Sequence, residues 1–141
     1  MNTFSATTTK LPESCQVEAA SRGFRLMIDE PVDAGGTDKG MNPVEMLLCA
    51  LGGCQTLVAC MNAPKLGIEL SGCRAELEGD MDLSGQNPYN GYQEIRSTLH
   101  VKSCAPQEKL DELAAVVEHN CPVGNTLKGS CRVACRVVAD L

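Results

Sequence analysis

Nine cysteines in 141 residues are the chain's main stock of reactive side chains, and two of them stand where a thiol can do chemistry. Cys121 directly precedes Pro122 in the stretch CPVGNTLKG, which places it as the cap of a short helix running through Leu127. Free N–H groups and the helix dipole favour a thiolate there, so Cys121 is expected to be acidic. Cys54 closes NPVEMLLCALGGC, residues 42–54, in apolar company that raises a thiol's pKa. To react as a thiolate it needs a cationic or hydrogen-bonding partner brought from another part of the chain. His119 is close enough in sequence to pair with a thiol, though a cation at a helix C-terminus is the simpler reading, and His100 reads as an outward strand residue.

The remaining thiols, Cys15, Cys49, Cys60, Cys73, Cys104, Cys131 and Cys135, sit where a small apolar or surface residue would serve, and are expected to be structural. The spacings Cys49-x4-Cys54-x5-Cys60 and Cys131-x3-Cys135 lack the paired CxxC units of a zinc site, and only two histidines exist. Neither a metal nor a cofactor is expected.

The elements that must position Cys54 and Cys121 follow from periodicity. Asn42 offers an N-cap and Pro43 a first helical position, which predicts a helix from about 43 to 62 that stops before Pro64 and Gly67. At about 100° per residue, Val44, Leu47, Leu48, Leu51, Val58 and Met61 share a stripe with Cys54, while Cys49 and Cys60 lie on another side. Gly52-Gly53 costs helix stability, about 1 kcal/mol per glycine relative to alanine, in exchange for room beside the thiol. A leucine at 53 is expected to overfill that room.

Upstream, Thr3 to Thr9, Gln16 to Ser21 and Phe24 to Ile28 read as two or three strands joined by hairpins, followed by an ordered loop over 30–41. Downstream, Cys73, Ala75 and Leu77, and then Ile95, Ser97, Leu99 and Val101, alternate with polar residues as two half-buried strands. A second helix starts at Pro106 and ends near His119, and Cys131, Val133, Cys135 and Val137 alternate as a final strand. Short hairpin links around two main helices indicate an α+β fold with an antiparallel sheet.

Length bounds the chain to a single domain, 1–141, of a size that often completes its burial by pairing with a copy. Eighteen acidic against twelve basic residues give a net charge of −6 and no basic stripe, which argues against nucleic acid. The N-terminus lacks an export pattern, and the most apolar stretch is broken by glycine and expected to be too short for a bilayer. An odd cysteine count without an export signal implies reduced thiols and a cytoplasmic protein.

Taken together, GGTDKGMNPVEMLLCALGGC and NCPVGNTLKGSCRV resemble the osmotically inducible protein C (OsmC) and organic hydroperoxide resistance (Ohr) superfamily. The resemblance covers the chain from about residue 16 onward and points to the OsmC-like branch. It implies an intertwined homodimer in which an antiparallel sheet wraps around two central helices, with a site at the dimer interface. It further implies that Cys54 attacks an organic hydroperoxide, leaves as a sulfenic acid, and is resolved by Cys121 into a disulfide that a dithiol or lipoylated protein reduces. In the peroxidase branches the helix begins Asn-Pro-Glu and that glutamate holds an arginine beside the thiolate. Here the position is Val44, and Glu45 points to the opposite side of the helix from Cys54. Arg22 and Arg25 are the candidates for the activating cation. The alternative is a non-peroxidatic relative that binds a small apolar or thiol-reactive molecule in the same pocket.

Overall fold

The computed structural model describes residues 1–129 and 131–140. The chain forms two compact units, Met1–Cys49 and Ala50–Leu141. In the first, β1 (Thr7–Lys10), β2 (Val17–Ser21) and β3 (Phe24–Ile28) make an antiparallel sheet in chain order, with Lys10 opposite Val17 and Val17 opposite Ile28. Arg22 and Gly23 turn the β2–β3 hairpin with φ of 51° and 87°, the left-handed pair whose twist matches that of the flanking strands.

The loop after β3 is rich in glycine, proline and aspartate, yet it is ordered because Asp29 organises it. This carboxylate is 1% exposed. It accepts hydrogen bonds from Thr37 Oγ1 at 2.5 Å, Glu30 N at 2.8 Å, Lys39 N at 3.0 Å, Cys15 Sγ at 3.2 Å and Thr37 N at 3.3 Å. The Thr37 hydroxyl, with the Lys39 and Glu30 amides behind it, holds the Asp29 carboxyl well below the usual aspartate range in spite of its burial. At the loop's end α1 (Pro43–Asn62) begins. Asn42 Oδ1 accepts from Glu45 N at 2.9 Å while Glu45 Oε2 accepts from Asn42 N at 3.0 Å. This reciprocal capping box gives Glu45 a specific task beyond its favourable position in the helix dipole.

The second unit holds the rest of α1, a 3-10 turn over Ala63–Leu66, β4 (Gly72–Met81), β5 (Tyr92–Lys102), α2 (Gln107–Asn120) and α3 (Pro122–Lys128). β4 and β5 form a long antiparallel hairpin with Cys73 opposite Val101 and Ala75 opposite Leu99. Its outer face is charged: Arg96 lies between Asp80 and Glu94, and Glu76 pairs with Arg74 and His100. The inner side feeds a core of Ala59, Ala63, Ile68, Leu113 and Val117, against which Cys73, Leu99 and Leu110 pack. Burial of a leucine or valine side chain such as Leu113 or Val117 contributes roughly 1.5–3 kcal/mol.

The two adjacent glycines of α1 play different parts. A Cβ on Gly52 would lie 2.5 Å from Leu77 Cδ1 and 3.5 Å from Ala75 Cβ, so the missing side chain is what lets α1 lie on β4. Around Gly53 a Cβ would meet nothing within 4 Å. The crowding expected at Gly53 belongs to Gly52. Gly52→Leu is accordingly expected to cost about 1–3 kcal/mol through overpacking, and Gly53→Ala to gain about 0.5–1 kcal/mol through helix propensity. Denaturant midpoints of the two variants test this; a Gly52→Leu protein as stable as the parent would refute the packing.

Three expectations are corrected. Antiparallel strands are divided between two sheets, of three and two strands, instead of one. The stretch Cys131–Val137 forms no strand, because alternation fixes which side chains share a face but a strand exists only through a hydrogen-bonded neighbour, and residues 131–140 stand exposed without one among the described residues. Finally, Pro43–Leu66 is, by length and composition, apolar enough to cross a membrane, since glycine and cysteine interrupt its hydropathy less than expected. A core helix of a folded domain satisfies the same criterion, although within the single chain only 17% of the most apolar window is buried, Leu51, Gly52 and Ala59 being the buried residues of α1.

Candidate active site

Cys121 stands at the junction of two helices. Its N–H donates to Val117 O at 3.0 Å and closes α2, and its carbonyl accepts from Asn125 N at 2.8 Å within α3. Pro122 sits at the first helical position, where its missing N–H is not needed, and holds Cys121 extended with φ −75° and ψ 107°. That conformation turns the side chain back over the first turn, so that Gly124 N donates to Sγ at 3.3 Å. The cap predicted from the sequence is therefore present, with the helix ending at Lys128.

The same sulfur faces α1. Cys121 Sγ lies 3.1 Å from Cys54 Sγ as a hydrogen-bond donor to it. Both are free thiols, Cys54 partly buried and Cys121 buried. The separation is about 1 Å longer than a disulfide bond, so a small movement joins them. A Cβ on Gly124 would sit 3.6 Å from Cδ1 of Leu51, one turn before Cys54, and 3.4 Å from Cys121 Sγ.

Burial pushes the Cys121 thiol above its ordinary value, and the hydrogen bond to Cys54 adds to the rise, while the Gly124 amide pulls the other way. The expected acidity of Cys121 is thus overturned. One amide donor at the start of a short helix does not replace the water that burial removes.

Arg22 and Arg25 lie in the first unit. The Arg22 guanidinium stacks over the Phe24 ring at 5.2 Å, and Arg25 forms an ion pair with Glu18. His119 occupies the last turn of α2, where its carbonyl accepts from Asn125 Nδ2 at 2.9 Å. Sequence reasoning passed over Gln55, whose buried Oε1 has no hydrogen-bond partner among the described residues. Its signal was a lone amide in an apolar run, one turn after the buried Leu51, and such an acceptor is suited to a donor from a bound molecule. Among the described residues no group of three or more His, Cys, Asp or Glu side chains is placed to hold a metal ion.

Comparison with known proteins adds a family to this geometry. Residues 36–136 match the family model described as OsmC-like protein. Among solved structures, an OsmC-like protein from Mycoplasma pneumoniae superposes with a TM-score of 0.82 at 24% identity, covering 91% of this chain and 89% of that one. The organic hydroperoxide resistance protein OsmC from Legionella pneumophila gives a TM-score of 0.66 at 19% identity over 92% and 91% of the two chains. An OsmC-like hydroperoxide resistance protein from Jannaschia sp. CCS1 gives 0.60 at 17% over 95% and 91%. At these identities the likeness is one of fold. No curated protein matches the chain.

Proposed function

The chain belongs to the OsmC-like protein family, and from that premise we propose that it is a thiol peroxidase that reduces organic hydroperoxides with Cys54 as nucleophile and Cys121 as resolving thiol. The observation that carries this reading is the 3.1 Å approach of the two sulfurs. The Cys54 thiolate attacks the terminal oxygen of ROOH; the O–O bond breaks, the alkoxide takes a proton and leaves as ROH, and Cys54 becomes a sulfenic acid. The Cys121 thiolate then attacks the Cys54 sulfur, the S–O bond breaks, and hydroxide leaves as water. Two electrons have passed from the thiol pair to the peroxide, and a dithiol, free or carried on a lipoylated protein, returns them by exchange. The protein works as a homodimer whose interface supplies the apolar surroundings for R, and its free thiols suit the cytoplasm. In that assembly Arg22 or Arg25 is the cation offered to Cys54.

The raised pKa of Cys121 sets the pH dependence of the second step. Only its thiolate resolves the sulfenic acid, so disulfide formation is expected to quicken about tenfold per pH unit from pH 7 to 9. Rapid alkylation and mass spectrometry of samples oxidised across that range measure it. A flat profile would mean that Cys121 is not the group whose ionisation limits resolution.

A second reading is favoured by Val44 at the position where peroxidase branches carry glutamate, and by the occupation of Arg25 with Glu18. In it the thiol pair and its apolar surroundings bind a small thiol-reactive molecule without turnover. Titration of the reduced protein with cumene hydroperoxide and, separately, hydrogen peroxide separates the two. Rapid formation of a Cys54–Cys121 disulfide, faster with the organic peroxide, supports the peroxidase. A Cys54 that remains alkylatable in excess peroxide rejects it and leaves the ligand-binding reading.

A further inference from the structure

Cys121 is a hinge as well as a thiol. α2 ends at Asn120 and α3 begins at Pro122, so Cys121 is the single residue between the two helices. The peptide units on either side of it are planar, which leaves its own φ and ψ as the soft torsions that set the angle between α2 and α3. Opening of that angle turns bonds of Cys121 itself. Either its sulfur then leaves Cys54, 3.1 Å away, or the Gly124 amide leaves the sulfur.

A helix of seven residues does not hold such a hinge alone, since short helices are marginal without tertiary ties. Asn125 brackets the hinge from both sides. Its N–H donates to Cys121 O at 2.8 Å, and its side-chain Nδ2 donates to His119 O at 2.9 Å, two residues before the cysteine. His119 O is one of the last four carbonyls of α2, the group that a helix leaves without donors of its own. A carbonyl only accepts, so the Asn125 amide must present its nitrogen. The two bonds close the chain from His119 to Asn125 into a ring with Cys121 inside it. Lys128 Nζ also spans the helices, meeting Glu118 Oε1 at 2.9 Å, but both side chains are exposed and such a pair is worth little. Thr126 Oγ1 donates to Pro122 O at 2.8 Å, within α3. Asn125 thus ties α3 to α2, whereas Thr126 ties α3 only to itself.

We propose that Asn125 is a positioning residue for the thiol pair, fixing the angle between α2 and α3 so that the Cys121 sulfur stays in reach of Cys54; this rests on the reading of Cys54 and Cys121 as a redox pair. Asn125 acts through the backbone of Cys121 and not on its sulfur. Without the side-chain bond the junction opens, and Cys121 spends less of its time where it can close a disulfide.

The test uses diamide on the reduced full chain, with no peroxide. One thiolate of the pair adds to the N=N bond; the other attacks the sulfur of that adduct, the S–N bond breaks, and the hydrazine leaves with both thiol protons and two electrons. Adduct formation depends on diamide concentration and closure of the disulfide does not, so samples quenched by alkylation at increasing diamide separate the two steps. Tryptic peptides 40–65 and 110–128 carry Cys54 and Cys121, and fragment ions locate the bond within them. Asn125→Ala is expected to slow closure about fivefold, the weight of one neutral hydrogen bond, and to leave adduct formation unchanged. Asn125→Asp keeps the shape but offers His119 O no donor, and is expected to behave alike. Thr126→Val removes a bond of the same kind inside α3 and is expected to keep closure within about twofold of the parent. Asn125 and Thr126 are both exposed, so these changes leave the core intact. Closure at the parent rate in Asn125→Ala, or an equal slowing in Thr126→Val, would overturn the positioning role alone. A parent chain in which diamide forms no bond between Cys54 and Cys121 would overturn the redox pair and the positioning role with it.

Discussion

Cys54→Ser is expected to lower the rate of cumene hydroperoxide consumption by about a thousandfold or more, because a serine hydroxyl at neutral pH is a far weaker nucleophile towards O–O than a thiolate. Cys121 is not expected to take over, since its burial raises the thiol above its ordinary value. Cys121→Ser has a different expected signature. The first equivalent of peroxide is reduced at close to the parent rate, the sulfenic acid then lacks its partner, and further peroxide drives Cys54 to sulfinic acid, so activity dies within a few turnovers. Stopped-flow peroxide consumption together with intact-protein mass spectra separates the two variants. A Cys54→Ser protein that keeps a tenth of the parent rate would remove Cys54 from the reaction.

The largest structural effect is expected at Asp29. Asp29→Asn keeps the side chain's shape but turns one acceptor into a donor, which then meets either the Thr37 and Glu30 amides, if it replaces Oδ1, or the Lys39 amide, if it replaces Oδ2. Few groups in the first unit are so completely satisfied, and the substitution is expected to lower Tm by more than any exposed substitution there. The pH response has a definite sign. The folded carboxyl titrates below its ordinary value of 3.8, so its contribution is complete above that pH and is lost as pH falls towards the folded value. Denaturation curves at pH 7 and pH 3 are expected to show a smaller acid loss for Asp29→Asn than for the parent. An equal loss in both proteins would show that another carboxylate controls acid stability.

Much of this was legible before any coordinates, for local reasons. Asn42-Pro43 and the Pro64-Gly67 punctuation mark α1 within its observed limits, since capping and helix breaking are decided by neighbours in sequence. The cap at Cys121 was readable for the same reason, through Pro122. Whatever depends on residues distant in sequence was not readable. The pKa of Cys121 follows from α1 covering it, the roles of Gly52 and Gly53 from which one meets Leu77, and the failure of residues 131–137 to form a strand from the absence of a pairing partner. Asp29 looked like one of several loop acids, because nothing local reveals that five donors converge on it.

The sulfur of Cys121 serves two masters, accepting from the Gly124 amide as the cap of α3 and approaching Cys54, its redox partner in the proposed mechanism. A sulfur engaged in a disulfide is a weaker acceptor than a thiol or thiolate, so the start of α3 is best satisfied in the reduced protein. The cap's stabilisation, of the order of 1 kcal/mol, therefore enters the dithiol–disulfide equilibrium, where it corresponds to about 20 mV in favour of the reduced form. If the pair cycles as proposed, residues of α3 that never touch either sulfur become tuners of its reduction potential, through how well a seven-residue helix holds its first turn.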